Sequence, residues 1–321
     1  MLLDFIIIAI GLAALVWSAD QFVEGAAAIA RRAGMAPLLI GMTIVSVGTS
    51  APEILVSLMA ALAGSGALAV GNAFGSNIAN IGLVLGVTLL IAPIVVGRTT
   101  AFTDLPLLLT TILLCGFLLY DGELSFADAI VLLLGLALFL LRMINHARRP
   151  DVSDEPPEIP NMTLGKAWFT FLIGLVVLII SSRGLVYGAV NIAESFGVSE
   201  LIIGLTIVAV GTSLPEMAAS GVSAMRGHAD IAIGAVVGSN MFNLLVVLSL
   251  PGLFSDLSLN QSEVIRDLGT VLFTSALLGA FVWTGWRSAL GHARLGRIAG
   301  ALFLLSYVVY YALLFLYVPT A

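Results

Sequence analysis

The chain has 321 residues, of which 60% are hydrophobic and only 10% charged, and its mean hydropathy is +1.12. So few charged groups cannot cover the surface of a water-soluble domain, so the composition excludes a soluble fold and indicates a chain that spans a lipid bilayer. The formal net charge of -6 gives no support for nucleic-acid binding.

Hydropathy predicts ten membrane-spanning helices, because about 20 mainly apolar residues are needed to cross a hydrocarbon layer about 30 Å thick. In chain order the apolar stretches lie at 3–30, 36–63, 67–92, 101–120, 125–146, 164–194, 199–226, 229–253, 264–285 and 294–317. The first stretch lacks the basic region and cleavage site of a secretory signal, so we expect a retained helix.

The two halves of the chain repeat each other. Residues 39–53 read LIGMTIVSVGTSAPE and residues 202–216 read IIGLTIVAVGTSLPE, with Glu53 and Glu216 separated by 163 positions. The same offset relates GSNIAN, which ends at Asn80, to GSNMFN, which ends at Asn243. The repeated motifs therefore extend over 41–80 in the first half and 204–243 in the second.

An odd number of spans in each half places the second copy upside down in the bilayer, as in many secondary transporters. The sequence thus predicts an all-α polytopic membrane protein of about ten transmembrane helices in two inverted five-helix repeats. The first repeat is expected at 1–146 and the second at 164–321. A segment rich in proline and acidic residues, 147–163, is predicted to be a flexible cytoplasmic linker between them.

The basic residues predict the orientation of the chain. With ten spans, all but two of the 13 Lys and Arg residues fall on one side of the membrane, and the exceptions are Arg183 and Arg266. Basic loops mark the cytoplasmic side. We therefore expect a multi-pass protein of the cell inner membrane with both termini outside the cytoplasm.

Each half contains the string GTSxPE near the middle of a long apolar span. Proline lacks an N–H group and clashes with the carbonyl four residues earlier, so Pro52 should free the carbonyl of Gly48 and Pro215 that of Gly211. Non-helical backbone at this depth is tolerated only beside protein or a wet cavity. A bound cation could satisfy such a carbonyl.

Oxygen-bearing side chains accompany both broken spans. Thr49 and Glu53 are four residues apart and share a helix face, as do Thr212 and Glu216. Carboxylate, hydroxyl, amide and carbonyl oxygens are the ligands that calcium prefers. A simpler alternative is a capping box, in which the glutamate of Ser-x-x-Glu only satisfies a helix N-terminus. An intramembrane carboxylate costs roughly 2.5–3.5 kcal/mol on insertion scales, so two symmetric ones favour a functional role.

These residues resemble the cation/calcium exchanger superfamily, and in particular the compact bacterial and archaeal sodium/calcium antiporters, over the whole chain. The resemblance implies that Glu53 and Glu216 share a calcium ion, that further oxygens form sodium sites on either side, and that Asn80 and Asn243 line the middle. The candidate metal ligands are Glu53, Glu216, Thr49, Thr212, Ser46, Ala209, Ser76, Ser239, Asn80, Asn243, Ser50 and Ser213. Some relatives carry an aspartate at the position that Asn243 occupies here. The neutral asparagine of this chain argues against potassium coupling.

The expected function is exchange of sodium for calcium by alternating access, without potassium. We expect the chain to need no cofactor and to work as a monomer. Its expected partners are calcium and sodium ions and the lipid bilayer. The nearest alternative is a proton/calcium exchanger, although proton-coupled relatives usually show GNxxE in place of GSNxxN. An intramembrane hydrolase is disfavoured because the sequence has no H-E-x-x-H motif. An ion channel is also disfavoured, because a closed cluster of carboxylates fits alternating access better than it fits a continuous pore.

Overall fold

A computed structural model describes residues 2–146, 162–197, 209–254, 256–287 and 289–317. Most of the predicted linker 147–163 lies outside the described residues. The first part of the predicted span 199–226, including part of the second repeat motif, also lies outside them.

The described residues are almost entirely helical. The helices run in the order α1 (Leu2–Ala33), α2 (Pro37–Thr49), α3 (Ala51–Leu62), α4 (Gly66–Ile91), α5 (Thr100–Leu118), α6 (Phe126–His146), α7 (Leu164–Ser195), α8 (Ala209–Thr212), α9 (Leu214–Met225), α10 (Ala229–Phe254), α11 (Gln261–Thr284) and α12 (Arg297–Tyr317). Short π-helical turns, which often mark functional sites, lie within α2, α4 and α10 and at the start of α5.

Eight of these helices are long and apolar enough to cross a membrane, and the bent pair α2–α3 forms a ninth span of the described chain. Helices α8 and α9 are the described part of the one remaining predicted span, 199–226. The prediction of an all-α polytopic membrane protein is confirmed.

Helices α1 and α7 pack face to face through glycines. A Cβ atom added at Gly25 would lie 2.5 Å from the backbone nitrogen of Phe171, and one added at Gly188 would lie 2.9 Å from Ile8. Gly188 and Phe171 follow Gly25 and Ile8 by the repeat offset of 163 residues, so the two contacts are equivalent. The helix pair therefore has the two-fold pseudosymmetry that an inverted repeat produces.

Two small antiparallel ribbons connect the halves of the chain. Strand β1 (Ile94–Gly97), after α4, pairs with β4 (His292–Leu295), before α12. Strand β2 (Glu123–Leu124), after α5, pairs with β3 (Leu257–Ser258), after α10. Because one helix separates β1 from β2, the two ribbons lie on opposite sides of the membrane.

The buried apolar side chains form two clusters. The larger cluster joins α2, α4, α5, α6, α10, α11 and α12, whereas the smaller one consists mainly of α1 and α7 with contributions from α2, α9 and α10. In the smaller cluster the rings of Phe22 and Phe171 stack with their centroids 4.8 Å apart. The pair α1–α7 thus packs as a unit beside the main bundle, over the region where the broken helices lie.

Candidate cation-binding site

Both GTSxPE strings interrupt a helix. Helix α2 ends at Thr49, α3 begins at Ala51, and their axes differ by 47°. In the second half α8 ends at Thr212 and α9 begins at Leu214. A proline occupies the first turn of α3 and of α9, where its missing N–H group costs nothing. The predicted helix breaks are confirmed.

The capping-box alternative is not formed. Ser50 and Ser213 occupy the N-cap positions of α3 and α9, but neither side chain makes a capping hydrogen bond. The hydroxyl group of Ser50 is buried and lies beside the carboxyl group of Glu216 instead. The serines of both strings are therefore not used to cap the helices that follow them.

The carbonyl of Gly211, which we predicted to be freed by Pro215, has a partner from another helix. The hydroxyl of Ser182 in α7 donates to this carbonyl at 2.8 Å. The equivalent position in α1 is Ala19, which cannot donate. Ser182 is not among the predicted ligands, and its only signal in the sequence is its polar side chain within the apolar span 164–194.

The two central glutamates come together from opposite halves of the chain. Glu53 is 3% exposed and Glu216 is 4% exposed. The carboxyl group of Glu216 lies beside Glu53, Thr49 and Ser50, all from the first repeat. One oxygen of each carboxyl group, Oε2, is buried without a hydrogen-bond partner. Two acids in this position require a positive charge, which a bound cation or a proton can supply.

The asparagines of the GSNxxN motifs lie on the helices that flank the glutamates. The amide of Asn80 in α4 donates to Oδ1 of Asn240 in α10 at 3.0 Å, which joins the two motifs directly. Asn80 and Asn243 each begin a π-helical turn. Both are buried, and the amide atoms of Asn243 have no hydrogen-bond partner.

The remaining candidate ligands lie on the broken helices and on α4 and α10. The hydroxyl of Ser46 lies within hydrogen-bond distance of the carbonyl of Gly41 at 2.6 Å and of that of Ala235 in the other half at 3.0 Å, and it can donate to either. Ser76 and Ser239 are buried in α4 and α10. The short helix α8 begins at Ala209 and ends at Thr212, which are two further candidates.

The chemistry of these groups matches a hard cation. Among buried atoms without a hydrogen-bond partner are acceptor oxygens of Glu53, Glu216, Ser239 and Asn243. Within the described ranges, no group of three or more His, Cys, Asp or Glu residues is placed to hold a metal ion. The donor set of two carboxylates with hydroxyl and amide oxygens suits calcium and sodium rather than a soft transition metal.

The sequence also matches a known family over most of its length. Residues 3–145 and 166–316 match the sodium/calcium exchanger protein family. The chain belongs to the sodium/calcium exchanger family. A member of this family is a transporter, so cation/calcium antiport follows, and its apolar helices make the exchanger a multi-pass membrane protein.

Full-length relatives agree with this assignment. The exchanger is 41% identical to the putative antiporter CaxA of Alkalimonas amylolytica, over 98% of this chain and 99% of that protein. It is 38% identical to the inner membrane protein YrbG of Escherichia coli, over 98% of each chain. It is 30% identical to the sodium/calcium exchanger MaX1 of Methanosarcina acetivorans, over 97% of this chain and 98% of that one.

Solved structures of the sodium-calcium exchanger NCX_Mj share the fold. One has a TM-score of 0.82 at 30% identity and covers 97% of this chain and 98% of its own. Another, soaked with zero sodium and calcium, has a TM-score of 0.83 at 31% identity and covers 98% and 99%. The match extends over both halves of the exchanger.

Asp20 forms an ion pair, but not with the residue at its equivalent position in the second repeat. The repeat offset of 163 relates Asp20 to Arg183. Instead, Asp20 pairs with Arg226 just after α9 at 2.5 Å, and Glu24 lies 3.8 Å from the same guanidinium group. Positions related by a two-fold axis touch only when both lie near that axis, which explains why Asp20 and Arg183 do not pair.

Proposed function

We propose that this exchanger couples the inward movement of sodium to the extrusion of calcium by alternating access and does not use potassium. The observation that carries the proposal is the convergence of Glu53 and Glu216, one from each half, at a buried position between broken helices. Such helix breaks at mid-membrane are where secondary transporters bind their ions.

The proposed ligands divide between a centre and two flanks. Glu53 and Glu216 hold one calcium ion, assisted by backbone oxygens at Thr49 and Thr212 and by side chains that line the middle. Sodium ions occupy flanking sites built on one side from Ser46, Thr49 and Ser76, and on the other from Ala209, Thr212 and Ser239. Ser50, Ser213, Asn80 and Asn243 complete the oxygen cage.

Competition for the two carboxylates provides the coupling. Two carboxylates neutralise one calcium ion or are shared among two or three sodium ions, but they cannot hold both loads at once. Binding of one kind of ion therefore displaces the other. Whichever ions are bound offset the negative charge of the two glutamates while the site changes the side of the membrane to which it is open. Asn243 adds no third charge, which supports independence from potassium.

Proton/calcium exchange is the second candidate, because the unpartnered Oε2 atoms of Glu53 and Glu216 could each take a proton. The repeated GSNxxN motif supports sodium instead. Radiocalcium flux in reconstituted vesicles, with sodium, potassium and proton gradients imposed one at a time, separates the candidates. Flux driven by a pH gradient alone would contradict sodium coupling.

Glutamine at either central position tests the ligand assignment. We expect Glu53→Gln and Glu216→Gln each to abolish sodium-dependent calcium flux, because one remaining carboxylate cannot balance a calcium ion. Glu263→Gln is a matched control, since Glu263 is an exposed residue in the first turn of α11. Near-normal flux in either central variant would refute the assignment.

We also propose that residues 1–146 and 164–321 are the two repeats, with the linker 147–163 in the cytoplasm, both termini outside, and the monomer as the working unit. The basic residues support this orientation. Accessibility of tags placed at each terminus and in the linker, measured in intact cells, tests it.

A further inference from the structure

A polar row continues from Glu216 along α9, outside the proposed ligand set. Ser220 and Ser223 follow Glu216 by four and seven residues, so the three side chains lie on one helix face. Ser220 and Ser223 are each 1% exposed. The row leads from the central carboxylates toward Arg226, at the end of α9.

Neither serine of this row has a hydrogen-bond partner for its hydroxyl group. Buried serines in helices commonly donate to a carbonyl three or four residues earlier, as Ser181 does to Leu178 at 3.0 Å. A buried hydroxyl without a partner is costly, so two in a row beside an unpartnered carboxylate require an explanation.

In the first repeat, the serine equivalent to Ser220 has a hydrogen-bond partner. Ser57 corresponds to Ser220, and its hydroxyl accepts a hydrogen bond from the amide of Asn72 in α4 at 2.8 Å. Asn72 also donates to the carbonyl of Glu53 at 3.2 Å. The residue equivalent to Asn72 is Ala235, which has no side-chain donor.

The two faces also differ in accessibility. In α4, Gly71 is exposed and Asn72 is half-buried, whereas the equivalent Gly234 and Ala235 in α10 are buried. A Cβ atom added at Gly234 would lie 3.2 Å from the backbone nitrogen of Met42, so α10 packs closely on α2. In a transporter made of inverted repeats, the opposite conformation exchanges the roles of the two halves.

We infer that Ser220 and Ser223 line the path by which ions travel between the central carboxylates and the Arg226 end of α9. The path opens in the conformation in which the α9–α10 face is accessible, and the hydroxyl groups then contact the passing sodium and calcium ions and their water. This inference rests on the proposed exchange function and adds two residues to it.

Thiol labelling tests the path directly. The only cysteine, Cys115, is buried, so Cys115→Ala provides a background without reactive thiols. Ser220→Cys and Ser223→Cys, reconstituted in vesicles, are treated with a membrane-impermeant methanethiosulfonate reagent. The control is Ser275→Cys in α11, because Ser275 is equally buried and also unpartnered. We expect both path positions to react at least tenfold faster than the control, and equal rates would overturn the inference.

Transport kinetics provide an independent measurement. The double variant Ser220→Ala, Ser223→Ala should slow the initial rate of exchange roughly tenfold, which corresponds to about 1.4 kcal/mol in the barrier. Its calcium concentration for half-saturation should stay the same, because the central ligands are intact. A wild-type rate would contradict the inference. Lack of sodium-dependent flux in the unmodified protein would instead refute the proposed function, whereas the labelling result does not depend on flux.

Discussion

The hydrogen bond between Ser182 and the carbonyl of Gly211 should stabilise the broken helix of the second half. Ser182→Ala removes the donor and leaves a buried carbonyl beside the helix break. Side-chain hydrogen bonds in membrane proteins contribute about 0.6 kcal/mol on average and up to about 1.7 kcal/mol. A buried acceptor left without a partner costs roughly 1–3 kcal/mol. We therefore expect a loss of about 1–2 kcal/mol, or roughly 5- to 30-fold in the folding equilibrium.

Thermal unfolding in detergent, followed by loss of monodisperse protein, measures this loss. The neighbouring Ser181 is a matched control, because it is 5% exposed, against 4% for Ser182, but donates only to a carbonyl of its own helix. We expect Ser181→Ala to melt within about one degree of the wild type and Ser182→Thr, which keeps the hydroxyl, to restore most of the stability lost by the alanine variant. Equal melting temperatures for the Ser181→Ala and Ser182→Ala variants would refute the reasoning.

Four further substitutions give contrasting expectations. Asp104→Asn leaves Arg142 without the carboxylate that it contacts at 2.7 Å and should cost about 3 kcal/mol, whereas Asp20→Asn, in a pair about one-third exposed, should cost under about 1 kcal/mol. Similar melting temperatures for these two variants would contradict the expectation that the more buried ion pair contributes more to stability. Gly25→Ala should sharply reduce the yield of folded protein, because the added Cβ meets the backbone of α7, and normal yield would show that the helices can separate there. Asn243→Asp places a third carboxylate in the site and should lower the calcium concentration for half-saturation severalfold, measured by radiocalcium uptake, so an unchanged value would place Asn243 outside the site.

The repeat made much of this architecture predictable from the residues alone. Hydropathy located the spans, and the offset between Glu53 and Glu216 identified both halves as copies of one unit. Pro52 and Pro215 located the helix breaks, because the missing N–H group of proline acts locally whatever surrounds it. Assignment of the twelve candidate ligands to ion sites stays a prediction that the proposed experiments test.

Sequence by itself determined the local features: the apolar spans, the helix breaks and the equivalence of the two halves. Only the tertiary structure decided which residues meet across them, including Ser182 with Gly211, Asn80 with Asn240, and Asp20 with Arg226 rather than Arg183. The physical reason is that hydropathy and proline act within one helix, whereas contacts between helices depend on how far and at what angle the backbones approach. A repeat offset states which positions are equivalent and leaves open which of them touch.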